Sequence, residues 1–438
     1  MNQAWVVAVD MGYGHQRAAY PFRDVACGGI ITANTGPMVD EAERRRWNKL
    51  RNLYEGVSRV NRVPVIGPPL WRLYDRFQAI SPHYPFTDLS RPSFGSLRLQ
   101  RLLDLGLCRG VVDHTRTREN LPVLTTFFAV ALAADHQGRN DVFLVVTDTD
   151  VNRVWVSKQP AKSRIHYLAP TPLNRKRLLQ YKVPDERIFV TGFPLPEENV
   201  AAAADDLRRR IAALDPRGHF RAAYGRMLEA ELGPESPSDP RPLTITFAVG
   251  GAGAQSEMAR DFLPSLAGSL RDGSMRLNLV AGVREEVRDY FERTSRELGL
   301  GSELGRSIHI LVAPTKDEYF ARFNELLRET DLLWTKPSEL CFYAGLGIPI
   351  IMSEPLGAHE ERNLDVILRA NAGPRQENPR AVAEWLADWR STGQLALNAF
   401  QGYFHMPRYG TDNIKRLMFA SDRTRVEMTL GAVLPAKL

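Results

Sequence analysis

Short apolar runs, most of them bounded by Gly, Asp or Pro, recur along this chain with helical patterns between them. The runs lie at residues 5–9, 141–146, 187–190, 243–249, 277–281, 308–312 and 348–352. Apolar residues at helical spacing mark the segments 121–137, 199–232 and 285–298. Because strands that alternate with helices pair in parallel and carry the helices on both faces, the pattern predicts an α/β fold of doubly wound sheets.

The length and composition favour two such domains. The chain has 438 residues, of which 44% are hydrophobic and 25% charged, and this composition excludes fibrous and wholly disordered proteins. Residues 233–242 contain four prolines together with Ser and Asp, which stop both helix and strand. We therefore predict a linker there and a second nucleotide-type half that begins at about residue 243.

Charge and cysteine usage narrow the function classes in part. A net charge of +6 suits anionic small molecules, an acidic membrane surface or nucleic acid. No recognition motif for nucleic acid is visible, so we do not expect nucleic acid as a partner. Cys27, Cys108 and Cys341 are too widely spaced for a disulfide framework or a metal site, and they fit a reducing cytoplasm. The start of the chain has no signal-peptide pattern and no apolar span, so we expect a cytoplasmic protein.

Residues 43–80 interleave aromatic side chains with arginines. An amphipathic helix would account for this pattern if its aromatics fill the core and its charges are solvated. A surface for an acceptor or for the inner face of an anionic membrane would account for it equally well. Both interpretations stay open at this point, and the second predicts peripheral membrane contact.

The first apolar run leads into a glycine turn that contains a histidine, Gly12-Tyr13-Gly14-His15. Glycines permit either a tight turn or close approach of the backbone to a ligand. A histidine in such a turn has the ordinary pKa that suits a general base. After the run at 141–146, Asp148 and Asp150 can orient a sugar hydroxyl, although capping and turn hydrogen bonds are the commoner use of such residues.

Residues 250–255 (GGAGAQ) follow a strand and precede a helix. Gly250, Gly251 and Gly253 would let backbone N–H groups come close to a phosphate. The segment has neither the lysine of a Walker loop nor the GxGxxG spacing. It therefore resembles a phosphate cradle without matching a standard motif.

The longest candidate segment runs from residue 331 to residue 364. Thr335 and Ser338 with free N–H groups at a helix start can hold a diphosphate, and Lys336 adds positive charge. Adjacent Glu360 and Glu361 can hold a ribose diol. A surface loop with solvated charges is the alternative for each cluster.

These segments stand in the order found in one enzyme family. Residues 12–19 (GYGHQRAA) are similar to its GxGHxxAA opening, and residues 146–155 are similar to its Val-Thr-Asp segment with a downstream Trp. Further motifs correspond to residues 125–128, 183–194, 335–340 and 355–363. Together they resemble the GT-B glycosyltransferases of the group that contains monogalactosyldiacylglycerol synthase, processive diacylglycerol glucosyltransferases and, more distantly, the GlcNAc transferase of peptidoglycan synthesis.

The resemblance implies the GT-B fold, which has two Rossmann-like doubly wound domains, a cleft between them and a C-terminal crossover helix. The expected segments are an acceptor domain at 1–195, a helical connection and linker at 196–242, a donor domain at 243–395, and C-terminal helices at 396–438 that cross back to the first domain. The implied reaction moves a sugar from a nucleotide sugar, UDP-linked in most of the family, to a lipid or other hydroxyl acceptor. The resemblance further implies inversion, with the nucleotide sugar as co-substrate and with no metal or resident cofactor.

The same resemblance assigns roles to single residues. His15 would be the base or would orient the acceptor hydroxyl, with Asp148 or Asp150 nearby as further catalytic residues. The residues implied in donor binding are Gly12, Gly14, Gly250, Gly251, Gly253, Gln255, Thr335, Lys336, Pro337, Ser338, His359, Glu360, Glu361 and Asn363.

The chain departs from the family pattern in its donor loops. Ser338 and Glu339 replace a Gly-Gly pair, and His359 replaces a Gln. Ala344 stands where the family carries a Glu that holds the ribose. Three functions therefore stay open: a glycosyltransferase, another sugar-nucleotide enzyme of the same fold such as a 2-epimerase, and a binding protein without turnover.

Overall fold

The computed structural model describes residues 2–48, 80–234, 241–250, 253, 255–355 and 357–429. The chain divides into two compact units. Unit 1 contains the described residues up to Pro194, residues 357–362 and Tyr409–Thr429, and unit 2 contains Leu195–Pro355 and Asn363–Arg408. The two helices between residues 195 and 232 belong to unit 2, and Tyr409–Thr429 belongs to unit 1. The roles of the segments as acceptor domain, linker and donor domain stay predictions.

Unit 1 is built on a parallel six-stranded sheet of order β2-β1-β3-β4-β5-β6. Its strands are β1 (Trp5–Ala8), β2 (Ile31–Thr32), β3 (Val123–Thr125), β4 (Val142–Val145), β5 (His166–Ala169) and β6 (Ile188–Val190). Val7 pairs with Thr125, and Thr125 pairs with Leu144, so the first, third and fourth strands end nearly level. The loops that follow these strands consequently share one edge of the sheet.

The helices of unit 1 cover this sheet. They are α1 (Tyr13–Ala19), α2 (Phe94–Asp104), α3 (Arg109–Thr115), α4 (Phe128–His136), α5 (Pro172–Gln180) and, near the C-terminus, α14 (Gly410–Phe419). In α4 every residue from Phe128 to Ala134 is buried, which explains its run of small and apolar residues. The predicted helix at 121–137 is therefore only partly correct, because residues 123–125 form a strand between β1 and β4.

Unit 2 contains a parallel five-stranded sheet of order β11-β10-β7-β8-β9. Its strands are β7 (Leu243–Ala248), β8 (Met275–Gly282), β9 (Ile308–Val312), β10 (Leu332–Thr335) and β11 (Ile350–Met352). Its helices are α6 (Glu197–Leu214), α7 (His219–Leu232), α8 (Ala259–Arg271), α9 (Glu285–Glu297), α10 (Lys316–Glu329), α11 (Ala358–Arg369, which begins in unit 1), α12 (Val382–Ser391) and α13 (Gln394–His405). Phe247, Phe262 and Trp334 pack together in its core, with ring centroids 4.8 to 5.5 Å apart.

A buried arginine fastens α6 to the rest of unit 2. The guanidinium of Arg210 donates to the carbonyl oxygens of Thr330, Leu346 and Leu327 at 2.7 to 2.8 Å. Burial lowers the pKa of Arg210 to about 10. Because a buried charge is stable only with such partners, these bonds explain why α6 packs within unit 2.

Most of the aromatic and arginine-rich region at 43–80 lies outside the described residues, which omit 49–79. In its described start, Trp47 is only 2% exposed and donates its indole N–H to Oε1 of Glu43 at 3.2 Å. This described part agrees with the interpretation in which the aromatic side chains fill the core. Within the described ranges, no helix combines the length and the apolar character that crossing a bilayer requires.

Candidate functional site

His15 lies at the carboxyl edge of the unit 1 sheet. After β1 the chain turns at Gly12, whose φ of +91° is in the left-handed region that favours glycine. Helix α1 then begins at Tyr13, so Gly14 is helical, and only the first of the two predicted turn glycines needs its special conformation. The turn thereby places the half-buried imidazole of His15 beside the end of β3.

One hydrogen bond orients the imidazole, and a second joins the main chain of His15 to the same threonine. Nδ1 of His15 lies 2.7 Å from the carbonyl oxygen of Thr126, and the hydroxyl of Thr126 donates to the carbonyl oxygen of His15 at 2.9 Å. A carbonyl oxygen can only accept, so Nδ1 carries the proton and Nε2 carries the lone pair of the neutral ring. This is the tautomer that presents Nε2 as a proton acceptor.

Two aromatic side chains flank the imidazole. The ring of Phe127 meets that of His15 edge to face at a centroid distance of 5.1 Å, and the ring of Trp155 lies 6.5 Å away. Trp155 also packs on Phe128 at 5.1 Å. Since Trp155 comes from the segment after β4, the structure brings the predicted Val-Thr-Asp segment and the predicted histidine turn together.

The two aspartates of that segment have different surroundings. Asp148 is half-buried, and its main-chain oxygen accepts a hydrogen bond from Nδ2 of Asn174 at 3.0 Å. Asp150 is 4% exposed. Nε of Arg177 donates to one oxygen of Asp150 at 2.9 Å, and Nη2 donates to the other at 2.9 Å. A catalytic role for either aspartate stays a prediction, and the geometry of Asp150 favours a structural one.

Further contacts complete the cluster around Asp150. The N–H of Val151 donates to Oδ1 at 2.8 Å, and Nε2 of His83 lies 3.2 Å from Oδ2. Burial by itself raises the pKa of Asp150, but the hydrogen bonds and charges of His83 and Arg177 outweigh burial and hold the pKa below its ordinary value. Sequence patterns could not identify Arg177 or His83 as partners, because neither residue lies in a motif with Asp150.

In unit 2 the predicted glycine loop and the predicted diphosphate loop lie side by side. The hydroxyl of Thr335, at the end of β10, donates to the carbonyl oxygen of Ala248, at the end of β7, at 3.0 Å. The side chain of Lys336 lies across Gly250, where a Cβ atom would come within 2.8 Å of its Cε. A side chain at position 250 would therefore displace the flexible end of the lysine from the start of the loop.

Gln255 ties the glycine loop to the segment after β11. Its Nε2 donates to the carbonyl oxygen of Glu354 at 3.0 Å, and its Oε1 accepts from the hydroxyl of Ser353 at 2.6 Å. Its φ of +70° is unusual for a residue with a side chain. Gln255 therefore positions the loop, because both hydrogen bonds of its side-chain amide are made to other residues of the protein. Gly251 lies outside the described residues.

Gly253 makes a second close approach in the same loop. Its φ is +71°, and a Cβ atom there would lie 3.0 Å from Cγ2 of Val287. Both the conformation and the contact favour glycine at this position.

The segment after Lys336 begins a 3₁₀ helix, Glu339–Leu346. The hydroxyl of Ser338 caps this helix by accepting from the N–H of Leu340 at 3.4 Å. Ala344 is completely buried, and a Cβ atom on Gly402 would lie 2.8 Å from its carbonyl oxygen. Position 344 is therefore a packing position in unit 2.

The last predicted donor residues lie in the first turns of α11. His359 and Glu361 are exposed, whereas Glu360 is 2% exposed. Successive helical side chains point about 100° apart, so the structure does not bring the two glutamates together around one ribose diol. Asn363 is fully buried, and its Nδ2 donates to the carbonyl oxygen of Pro337 at 3.4 Å. This buried hydrogen bond fastens the predicted diphosphate loop to α11.

No group of three or more His, Cys, Asp or Glu side chains among the described residues is arranged to hold a metal ion. The expectation that the reaction needs neither a metal nor a resident cofactor stays a prediction.

Comparisons with known proteins agree with this architecture at low sequence identity. A family described as "Domain of unknown function (DUF6938)" matches residues 293–369, and no curated protein matches the chain. Among solved structures, S. aureus MnaA with UDP has 12% identity and a TM-score of 0.50, over 99% of this chain and 100% of that one. MurG of Acinetobacter baumannii has 13% identity and a TM-score of 0.47, over 95% and 99% of the two chains.

A third solved structure, the UDP-GlcNAc 2-epimerase of Neisseria meningitidis bound to UDP-GlcNAc, has 12% identity and a TM-score of 0.44, over 80% of this chain and 86% of that one. At such identities the likeness shows the fold alone. Together with the two parallel sheets and their flanking helices, it confirms the predicted fold class, GT-B.

Proposed function

We propose that this protein is a sugar-nucleotide enzyme, and specifically a glycosyltransferase that moves a sugar from a nucleoside diphosphate sugar to a hydroxyl acceptor. The observation that carries the proposal is the fixed tautomer of His15, whose Nδ1 is held at 2.7 Å from the carbonyl oxygen of Thr126. A base oriented in this way is what a transfer to a hydroxyl group requires.

In the proposed reaction, Nε2 of His15 takes the proton of the acceptor hydroxyl. The acceptor oxygen forms a bond to the anomeric carbon as the bond from that carbon to the diphosphate breaks, and the diphosphate leaves with the electron pair. A single displacement of this kind inverts the anomeric configuration. The aromatic rings of Phe127 and Trp155 exclude water from one side of the base.

The loops of unit 2 are the proposed site of the diphosphate. Lys336 supplies a positive charge beside Gly250, and the glycine loop supplies backbone N–H groups. Such groups stabilise the charge that develops on the leaving diphosphate without a metal ion. UDP is the nucleotide that we expect, as in the family that the motifs resemble, and it is also the nucleotide present in the MnaA structure.

A binding experiment tests the donor. We expect one of UDP, GDP, CDP, ADP and dTDP, or a sugar conjugate of one of them, to raise the unfolding temperature of the purified protein. A ligand at about 100 times its dissociation constant adds about 2.7 kcal/mol to the free energy of unfolding. A well-folded sample that responds to none of these compounds would contradict the proposal.

A kinetic experiment tests the base. With the donor identified, we expect His15→Ala to keep the nucleotide-induced thermal shift and to lower kcat by about 10² to 10⁴-fold, the usual contribution of a general base. The control is His309→Ala, which removes an exposed imidazole on β9 of unit 2. Equal turnover in both variants would exclude His15 as the base.

The same assay separates the alternatives. A glycosyltransferase releases the nucleoside diphosphate in proportion to glycosylated acceptor. A 2-epimerase instead converts the nucleotide sugar in the absence of any acceptor, and a binding protein shows the thermal shift with no product. We expect the first result. Mass spectrometry of a panel of lipid and soluble hydroxyl acceptors would then identify the glycosylated product.

A further inference from the structure

Arg153 is a buried arginine of unit 1 that forms no ion pair with any described carboxylate. It is 5% exposed, and burial lowers the pKa of its guanidinium. The fully buried Arg177, by contrast, pairs with Asp150. A buried charge without an opposite charge is costly, and an apolar side chain of similar length would avoid that cost. The presence of an arginine here therefore points to a role beyond packing.

The guanidinium of Arg153 binds main-chain carbonyl oxygens instead. Nε and Nη2 donate to the carbonyl oxygen of Ser90 at 3.2 and 2.8 Å. Nη1 donates to the carbonyl oxygen of Val156 at 2.6 Å, and Nη2 also donates to that of Ser157 at 3.1 Å. These bonds use four of the five N–H groups of a guanidinium. The planar fork thus joins two separate pieces of main chain.

One of these pieces carries Trp155. Arg153 and Trp155 belong to the same 3₁₀ helix, Arg153–Trp155, and the guanidinium bonds to the two residues that follow this helix. The hydroxyl of Tyr167 donates to the carbonyl oxygen of Trp155 at 3.2 Å. The indole is 7% exposed, and its ring centroid lies 6.5 Å from that of His15. Arg153 therefore fixes the main chain from which the indole beside His15 extends.

The other piece lies just before helix α2 and anchors the 3₁₀ helix. Ser90 accepts from the guanidinium of Arg153, and the hydroxyl of Ser96 donates to the main-chain oxygen of Arg153 at 3.2 Å. A 3₁₀ helix of three residues has too few backbone hydrogen bonds to hold its own orientation. The orientation of this helix therefore depends on the bonds that Arg153 makes.

We propose that Arg153 is a positioning residue that holds the indole of Trp155 in place beside His15. The inference rests on the proposed function, in which Nε2 of His15 takes the proton of the acceptor hydroxyl. Without the four bonds the indole moves and opens one side of the base to water. A lysine cannot take over this role, because its ammonium is a compact point charge and not a planar fork.

Kinetics of two variants test the proposal. Arg153→Met removes the four bonds and the charge but keeps a side chain of similar length, so no buried charge is left unpaired. We expect kcat to fall about 10²-fold, the usual cost of a misplacement of about 1 Å at an active site, with the nucleotide-induced thermal shift retained. Arg153→Lys keeps the charge without the fork, and we expect the same loss. It also serves as the second variant for every measurement below.

The matched control is Arg139, another buried arginine of unit 1. It is 6% exposed and donates to the carbonyl oxygens of Glu119 and Leu121 at 3.1 and 2.8 Å. Arg139 precedes β4 and so lies at the amino edge of the sheet, opposite to the edge of His15. We expect Arg139→Met to lower the unfolding temperature as Arg153→Met does and to leave kcat unchanged.

A double-mutant cycle tests whether Arg153 acts through Trp155. If it does, Arg153→Met should cause little further loss of kcat in a protein that already carries Trp155→Ala. Two independent structural effects would multiply instead.

A chemical probe reports on His15 without turnover. Diethyl pyrocarbonate modifies neutral imidazoles, and mass spectrometry of peptides measures the rate at each histidine. We expect His15 to react faster in Arg153→Met and in Trp155→Ala than in the unmodified protein, whereas the exposed His309 reacts at one rate in all of them. These rates decide the role of Arg153 even if the protein transfers no sugar, so failure of the proposed function is distinguishable from failure of this inference.

Any of three results would overturn the proposal. The first is an equal loss of kcat in Arg153→Met and Arg139→Met. The second is a multiplication of the losses of Arg153→Met and Trp155→Ala in the double variant. The third is an unchanged rate of His15 modification in the folded Arg153 variants.

Discussion

The carboxyl edges of the two sheets use their polar groups in different ways. In unit 1, a hydrogen bond from His15 to the carbonyl oxygen of Thr126 orients the ring and leaves Nε2 as the proton acceptor. In unit 2, the side chains of Thr335 and Gln255 bond to the protein itself, and Lys336 packs across Gly250. One edge therefore presents a titratable ring, and the other presents backbone and one positive charge. This division suits a base and an anion site, respectively.

Asp150 in unit 1 and Asp331 in unit 2 are both buried beside an arginine, and their pKa values are shifted in opposite directions. Asp150 in unit 1 accepts two hydrogen bonds from the fully buried Arg177, and its pKa lies below the ordinary value. Asp331 in unit 2 accepts from Arg241, which is 26% exposed, and burial raises the pKa of Asp331 to about 6. The comparison shows that the pKa of a buried carboxyl falls below its ordinary value only where its partners outweigh desolvation.

The largest expected effect in this comparison comes from breaking the pair in unit 1. Arg177→Ala leaves the carboxylate of Asp150 buried without its main partner, so we expect a loss of about 3 to 5 kcal/mol in the free energy of unfolding. Urea denaturation measures this change. The control is Arg175→Ala, which removes a pair with Asp185 whose side chains are 34% and 56% exposed and which should cost at most about 1 kcal/mol.

The same variant separates a structural from a catalytic role for Asp150. If Arg177→Ala unfolds at the same urea concentration as the unmodified protein but has lost turnover, Asp150 belongs to the catalytic machinery. Loss of stability would support the structural role that its contacts indicate.

The next effect is a pH dependence of opposite sign in the two units. The pKa of Asp331 is about 6 in the folded protein against an ordinary value of 3.8, so the folded state holds the proton more tightly than the unfolded state does. The contribution of Asp331 to the free energy of unfolding is fully present below pH 3.8 and is lost as the pH rises through about 6. We expect this contribution to fall by about 3 kcal/mol across that window and to be absent in Asp331→Asn.

Asp150 should act in the other direction, because its pKa is lowered on folding. Its contribution is present above the ordinary pKa and is lost as the pH falls. Denaturation curves of the unmodified protein, Asp331→Asn and Asp150→Asn between pH 2 and pH 7 would show the two slopes, that of Asp331 between pH 3.8 and about 6 and that of Asp150 below pH 3.8. Parallel pH profiles for all three proteins would refute the comparison.

The smallest expected effect concerns the glycine loop of unit 2. Gln255→Ala loses two hydrogen bonds, each with a net value of about 1 kcal/mol, and keeps a φ of +70° that costs an alanine about 1 kcal/mol. Gln255→Gly loses the same bonds without this backbone cost. We expect the free energy of unfolding of Gln255→Gly to exceed that of Gln255→Ala by about 1 kcal/mol. Nucleotide affinity should be reduced equally in the two variants.

Calorimetric titration with the nucleotide identified by thermal shift measures that affinity. A larger loss in the alanine variant would mean that backbone conformation, rather than the side-chain amide, positions the loop.

Several parts of the fold could be predicted from local patterns, and others could not. The runs at 5–9, 243–249 and 308–312 form strands, and the predicted helix at 285–298 corresponds to α9 (Glu285–Glu297). The strand Val123–Thr125 was missed because its short apolar segment continues directly into the apolar helix α4. Its pairing with β1 and β4 decides its conformation.

For the candidate site, the sequence predicted His15 and the glycine loop, since a strand followed by glycines and a helix is a local signal. It did not predict that Glu360 and Glu361 separate into one buried and one exposed side chain, or that Ala344 lies in a packed 3₁₀ helix.

The sequence by itself determined the alternation of strands and helices, the two halves and the histidine turn, because periodicity, glycine and proline act within a few residues of the chain. Only the tertiary structure decided that Asp150 is engaged by Arg177 and that Gln255 bonds to Ser353. These outcomes depend on which distant segments pack together. A local sequence pattern does not indicate which distant residue a buried side chain will contact.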